Sequence, residues 1–270
     1  MDFLEVWNPK RMIELNPFVA SLIGQKRGGK STALCYFATL LKDEFDLVIS
    51  FAGSASCAPK LYEIFDKYYD PRFMFPRFNV NFLKKLLEQQ EEIKAAGQKR
   101  RVLLLFDDCE VSAEEFNFLG FTSTRHRHFD ISIIYLSVRY TFLNKSLRSA
   151  TDFLLLFTIP MYSDRQLLIT EHSQNRQLTS FCMRQLEEYQ CLVLEAGFKQ
   201  KLSIFRAPHP DHVYECENLP NESLITESPE NIHNPIDDFD NENKKEEEHA
   251  EDSNLENLPK QKVSNNVLTV

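Results

Sequence analysis

The sequence predicts an α/β chain in which a mainly parallel sheet is covered by helices on both faces, closed by a C-terminal β-hairpin and followed by a disordered acidic tail. Three observations carry this expectation. Short apolar runs without polar alternation are separated by helical segments, the pattern of strands buried on both faces and joined by crossovers. A glycine-rich turn joins the first of these runs, Phe18 to Ile23, to an amphipathic segment from Ala33 to Leu41. Charge is uneven: residues 216–270 hold fourteen Asp and Glu against four Lys, a net of −10, which leaves +1 for residues 1–215 of a chain whose net is −9.

In order, residues 1–16 are broken by Asn8-Pro9 and Asn16-Pro17 and read as a lead-in. Asp46 to Phe51 is the second strand, followed by a small-residue loop at Ala52-Gly53-Ser54. A helical, aromatic-rich stretch from Leu61 to Tyr69, a loop broken by Pro71 and Pro76, and a helix from about Phe82 to Ala96 lead to the third strand, Arg101 to Asp107. Ile131 to Ser137 and Asp152 to Thr158 are the fourth and fifth strands. After Pro160 a helix is expected over roughly Gln174 to Tyr189. Cys191 to Glu195 and Lys201 to Phe205 then flank a glycine turn as a hairpin at the sheet's edge. From Cys216 onward periodicity vanishes, and the segment cannot bury enough apolar surface to order itself. The expected division is a lead-in over 1–16, one domain over 17–215 and a tail over 216–270.

Composition excludes some classes. At 43% apolar content the chain can bury a sizeable core. No run approaches eighteen apolar residues and the N-terminus lacks a basic-then-apolar pattern, so neither export nor membrane spanning is expected. The six cysteines are scattered without a C-x-x-C pair or metal-ligand spacing, and read as reduced structural thiols inside a cell. The near-neutral 1–215 region neither supports nor excludes nucleic acid, since binding depends on a local basic stripe.

The chemistry is concentrated at two strand ends. Gly24-Gln25-Lys26-Arg27-Gly28-Gly29-Lys30-Ser31-Thr32 fits G-x-x-x-x-G-K-[ST], between a strand and a helix as a phosphate-binding loop requires. In that reading backbone N–H groups wrap the phosphates of a nucleotide, Lys30 reaches the outer ones and Ser31 ligates Mg²⁺. A plain glycine turn would explain neither the flanks nor the second motif. That motif is Val102-Leu103-Leu104-Leu105-Phe106-Asp107-Asp108, an apolar strand ending in two carboxylates. Asp107 would hold the metal with Ser31, and Asp108 would polarise the attacking water; Glu110 is a weaker competitor as base. This is the architecture of a P-loop NTPase.

Ahead of the fourth strand, Thr122-Ser123-Thr124-Arg125-His126-Arg127-His128 reads either as a solvated basic loop or as a source of an arginine for a neighbouring subunit's γ-phosphate or for a polynucleotide backbone. No Cys or carboxylate at metal-ligand spacing accompanies the histidines, so a metal site is not expected there. Arg139 and Arg148 are further candidates for an arginine finger, with Arg127 and Arg148 leading. Ser137 closes the fourth strand where a polar sensor would stand. Asn144-Lys145-Ser146-Leu147 lacks the aspartate of a base-reading GTPase motif. A P-loop small-molecule kinase of the nucleotide type is the alternative, with the insertion between the second and third strands supplying its lid.

The loop from Gly24 to Thr32, the Phe106-Asp107-Asp108 ending, Arg125 to Ile134 and Leu147 to Asp152 together resemble the DNA-packaging ATPases of large double-stranded DNA viruses, virophages and Maverick-type elements, within the FtsK–HerA superfamily. The resemblance covers about residues 15–210. It implies a RecA/FtsK–HerA-like fold and a homo-oligomeric ring that hydrolyses ATP and drives double-stranded DNA into a preformed capsid. The implied partners are DNA and a capsid protein or portal vertex, without membrane. The implied place is the host cytoplasm, the viral factory or the virion. Two positions depart from the family's pattern. Ser137 is followed by Val138 where Gln is usual, and Arg148-Ser149-Ala150 stands for Arg-x-Asn.

Overall fold

Among the described residues nine strands form one sheet in the order β1-β9-β8-β7-β2-β6-β5-β3-β4. The strands are β1 (Glu5–Val6), β2 (Val19–Ile23), β3 (Leu47–Ala52), β4 (Met74–Phe75), β5 (Val102–Asp107), β6 (Ile131–Ser137), β7 (Phe153–Leu156), β8 (Gln190–Glu195) and β9 (Lys201–Arg206). The computed structural model describes residues 4–52, 58–107, 109, 111–197 and 200–208. The chain divides into two units, Met1–Leu219 and Pro220–Val270, and every described residue belongs to the first. The acidic tail, Asp108, Glu110 and the Gly53-Ser54 loop lie outside the described residues.

From β4 to β7 all neighbouring pairs are parallel, and β8 turns antiparallel against β7 and β9. Every residue of β2, β5, β6 and β7 is buried. Side chains alternate between two cores, as a pleat demands. Leu103 and Leu105 face one side with Leu34, Phe37 and Phe65. Val102, Leu104 and Phe106 face the other with Leu83, Leu119 and Leu168. The first layer is made by α1 (Arg11–Leu15), α2 (Lys30–Leu40) and α3 (Pro59–Tyr68). The second is made by α4 (Val80–Ala95), α5 (Ala113–Thr124), α6 (Lys145–Ala150), α7 (Tyr162–His172) and α8 (Arg176–Arg184).

Caps explain where several helices begin. Asn79, Asn144 and Asn175 accept backbone N–H bonds at the starts of α4, α6 and α8. Ser112 and Glu115 form a reciprocal capping box on α5, a helix not among those expected from the sequence. The helix expected over Gln174 to Tyr189 stops at Arg184, and Tyr189 adopts a positive φ of 61°. α7 was not expected at all, because its buried residues Asp164, Leu168 and Ile169 make no apolar stripe. The fifth strand is shorter than expected at both ends. The hairpin β8–β9 is present where expected, but the lead-in adds β1 outside it, in parallel with β9. Among the described residues no helix is long and apolar enough to cross a membrane.

Candidate active site

The turn from β2 into α2 is held between its two sheet neighbours. Gly24 N donates to Ser137 O at 3.2 Å, at the end of β6, and Gln25 N donates to Thr158 O at 2.8 Å, beyond β7. Two glycines are required by what surrounds them. A Cβ on Gly24 would lie 2.6 Å from the Cβ of Phe157, and Gly29, with φ of 97°, would put one 2.9 Å from Cδ1 of Tyr189. The loop is therefore packed from below by Phe157 and from the side by Tyr189, two residues that the motif does not contain.

Lys30 opens α2 and is 8% exposed. Its Nζ donates to Gly24 O and Gln25 O, both at 2.7 Å, so the ammonium is folded across the mouth of its own loop. In loops of the G-x-x-x-x-G-K-[ST] pattern, that acceptor role is the one phosphate oxygens fill. Ser31 Oγ donates to Asp107 Oδ1 at 3.1 Å, across from the end of β5. The helix behind them is dry: burial, and then the negative charge of Asp107, push the Cys35 thiol up to about 12.

Two cavities adjoin the loop. One, of about 180 Å³, brings Lys26, Arg27, Lys30, Ser31 and Asp107 to the end of β6 at Ser137 and Val138. The other, of about 340 Å³, runs from Arg27 and Thr32 to Glu188 and Tyr189. The structure thus unites the loop with Asp107. A hydroxyl and a carboxylate facing one polar cavity are hard oxygen donors of the type Mg²⁺ takes alongside phosphate oxygens.

Ser137 lines the first cavity, but its hydroxyl is turned into its own chain. It donates to Arg139 O at 2.8 Å and accepts from Arg139 N at 3.3 Å. Arg139 in turn grips Asp164 of α7 through Nε at 3.2 Å and an Nη at 3.1 Å. Tyr140 N and Thr141 Oγ1 also donate to that carboxylate. Burial alone would raise the Asp164 pKa. The bonds from Arg139 and Thr141 outweigh it and hold the carboxyl below the usual range.

The two leading arginines are not brought to the loop. Arg127 precedes β6, at the opposite end of the parallel strands, and pairs with Asp152 Oδ1 at 2.8 Å. The other oxygen of Asp152 accepts from Val19 N at the very start of β2. Arg148 pairs with Glu171 at 3.2 Å, and its guanidinium lies 5.1 Å from the Tyr140 ring centroid. Arg125 lies over Phe121, 3.9 Å from the ring centroid. Nor is the basic run wholly solvated. His126 is buried; since a carbonyl only accepts, its Nδ1 must carry the proton given to Ser123 O at 2.7 Å, and Nε2 faces Asp152 at 3.5 Å. No cluster of three metal-ligating side chains occurs among the described residues.

No protein-family model matches the sequence, and a comparison with curated proteins finds no match. Solved structures do match. The DNA-packaging ATPase B204 of Sulfolobus turreted icosahedral virus superposes with a TM-score of 0.55 at 19% identity, covering 72% of this chain and all of the other. The genome-packaging NTPase B204 of Sulfolobus turreted icosahedral virus 2, in complex with AMPPCP, gives 0.50 at 19% identity over 75% of this chain and 100% of its own. EssC (ATPases 2 and 3) of Geobacillus thermodenitrificans gives 0.53 at 12% identity, over 76% of this chain and 44% of that one. At these identities the likeness is one of fold: the chain has the P-loop ATPase fold of the B204 and EssC structures.

Proposed function

We propose that the chain is a Mg²⁺-dependent ATPase that drives double-stranded DNA into a preformed capsid, working as a ring of subunits in the host cytoplasm, viral factory or virion. The observation that carries the reading is the meeting of Lys30 and Ser31 with Asp107 in a sheet where β6 separates the loop strand from the carboxylate strand. That two B204 structures of this fold are packaging enzymes, one of them holding an ATP analogue, supports ATP and DNA as the substrates. In this reading the loop amides from Gly24 to Thr32 orient the phosphates, and Lys30 leaves the carbonyls of Gly24 and Gln25 for the outer phosphate oxygens. Ser31 and Asp107 would hold Mg²⁺, which when bound neutralises charge on the transferred phosphoryl group. Asp108, the next residue along, takes the proton of the attacking water.

An arginine from a neighbouring subunit completes the site. Arg127 is the better candidate, with a side chain 65% exposed at the far end of the sheet, whereas that of Arg148 is 15% exposed and enclosed by Glu171 and Tyr140. The kinase alternative would need a lid over the loop. The described part of the insertion instead extends the sheet's other edge: β4 pairs with β3, and Tyr69 donates its hydroxyl to Ala38 O on the back of α2. The test is ATP turnover of the purified chain with and without double-stranded DNA. Stimulation by DNA is expected; stimulation only by a small phosphate acceptor would return the kinase reading to first place.

A further inference from the structure

The larger cavity beside the loop is lined by the loop itself and by two residues that phosphate chemistry does not explain, Glu188 and Tyr189. Its 340 Å³ fall within the span of roughly 300–1,000 Å³ common to small-molecule pockets. It shares Arg27, Lys30 and Ser31 with the smaller cavity that contains Asp107, so a ligand laid along the loop points one end at Asp107 and the other at Glu188 and Tyr189. A carboxylate at that second end repels a further phosphate. It accepts well from hydroxyl donors.

Tyr189 is held where it is by its surroundings. Its φ of 61° lies in the left-handed region that bulky residues avoid, a strain kept only where neighbours fix the backbone. Here Ala207 N, just past β9, donates to Tyr189 O at 2.9 Å. Glu187 N donates to the Gln190 side chain at 3.0 Å, closing the turn on its other side. The ring is thereby set against Gly29, where the loop becomes α2.

We infer that this cavity takes the nucleoside half of the nucleotide, with the base stacked on Tyr189 and the ribose hydroxyls donating to the carboxylate of Glu188. The inference rests on reading the loop as a nucleotide site, and it adds how that site tells a nucleoside triphosphate from a bare polyphosphate. A purine offers a flat π face whatever its edge pattern, and stacking on an aromatic side chain is worth about tenfold or more in affinity. Tyr189 thus selects for a base without selecting strongly among bases. Glu188 adds a preference for ribose over a sugar lacking its hydroxyls.

The test is equilibrium binding of Mg-ATP and of Mg-tripolyphosphate to the full chain and to Tyr189→Asn, Tyr189→Trp and Glu188→Gln. Asparagine tolerates the left-handed backbone, so it removes the ring with little disturbance of the turn. Tyr189→Asn is expected to weaken ATP about tenfold or more while leaving tripolyphosphate within about twofold, and Tyr189→Trp to bind ATP as the wild type does. Glu188→Gln is expected to narrow the preference for ATP over 2′,3′-dideoxy-ATP. If Tyr189→Asn weakens both ligands equally, or neither, the inference is overturned while the loop reading stands. If neither ligand binds the wild-type chain, the loop reading falls and the inference with it.

Discussion

At the scale of single residues, the site turns on what each atom can exchange for phosphate. Lys30 already bonds two carbonyls from within its own loop, so its removal is expected to cost little of the fold and, in the proposed chemistry, most of the activity. Lys30→Ala is expected to keep its melting temperature within a few degrees and to lose about 10²–10³ in ATP turnover, the magnitude of deleting one preorganised charge-stabilising donor. The paired carboxylates separate by a different measurement. Because Asp107 bonds Ser31 and Asp108 does not share that role in the proposed chemistry, Asp107→Asn should raise the Mg²⁺ concentration needed for activity. Asp108→Asn should leave that requirement alone and abolish turnover. Equal shifts in the Mg²⁺ titration would place both residues on the metal. The loop and the strand ending in Asp107 were legible in the sequence because each motif is local, although Ser31 and Asp107 lie 76 residues apart. Phe157, Glu188 and Tyr189 were not, since they reach the loop only through the pairing of β7 with β2 and β8. Asp164 was invisible for another reason: an acid in a polar helical stretch reads as solvated, and nothing local shows that it is 0% exposed.

At the scale of elements, Asp164 fastens α7 to the turn that ends β6. Its carboxylate takes bonds from Arg139, Tyr140 N and Thr141. Asp164→Ala strands these donors and is expected to cost about 2–4 kcal/mol in denaturant unfolding, as for other buried charge-assisted bonds. The pH dependence follows from the direction of the shift. A carboxyl held below its unfolded value, about 3.9, binds fewer protons folded than unfolded, so its contribution is whole above that pH and is lost as pH falls through the lower folded value. Wild-type stability should therefore fall more steeply below about pH 4 than that of Asp164→Asn. Parallel curves would show that Asp164 is not the titrating group. The same clamp fixes Ser137 beside the cavity that Val138, the next residue, also lines. The strands were legible because burial on both faces leaves an uninterrupted apolar signal. α5 and α7 were hidden because their outward residues are mixed and their inward ones are few.

At the scale of the whole molecule, the ring reading makes the activity of one subunit depend on another. Arg127→Ala is expected to bind ATP, fail to hydrolyse it, and depress the activity of added wild-type subunits by more than its share of the mixture. Arg148→Ala is expected to lower the melting temperature instead, by leaving Glu171 and Tyr140 without the guanidinium between them. Loss in simple proportion for Arg127→Ala would describe a self-contained site. Deleting residues 220–270 should leave turnover and melting temperature unchanged, because the segment offers no periodic apolar face to a core. A drop in either would show that the tail docks.

The parallel pairing of β1 with β9 sets the order in which the protein can be made. Glu5 lies beside Ser203, so β1 leaves the ribosome well before its neighbour, which follows only after roughly 200 more residues have been added. At about 5–20 residues per second that interval is on the order of 10–40 s, during which Trp7 has neither Phe205 to pack on nor Glu195 to receive its indole N–H. The parallel strands from β2 to β7 can assemble in the meantime. The lead-in is then the last piece to be seated, and a nascent chain halted before Lys201 should expose its N-terminal segment to protease while already protecting the nucleotide loop.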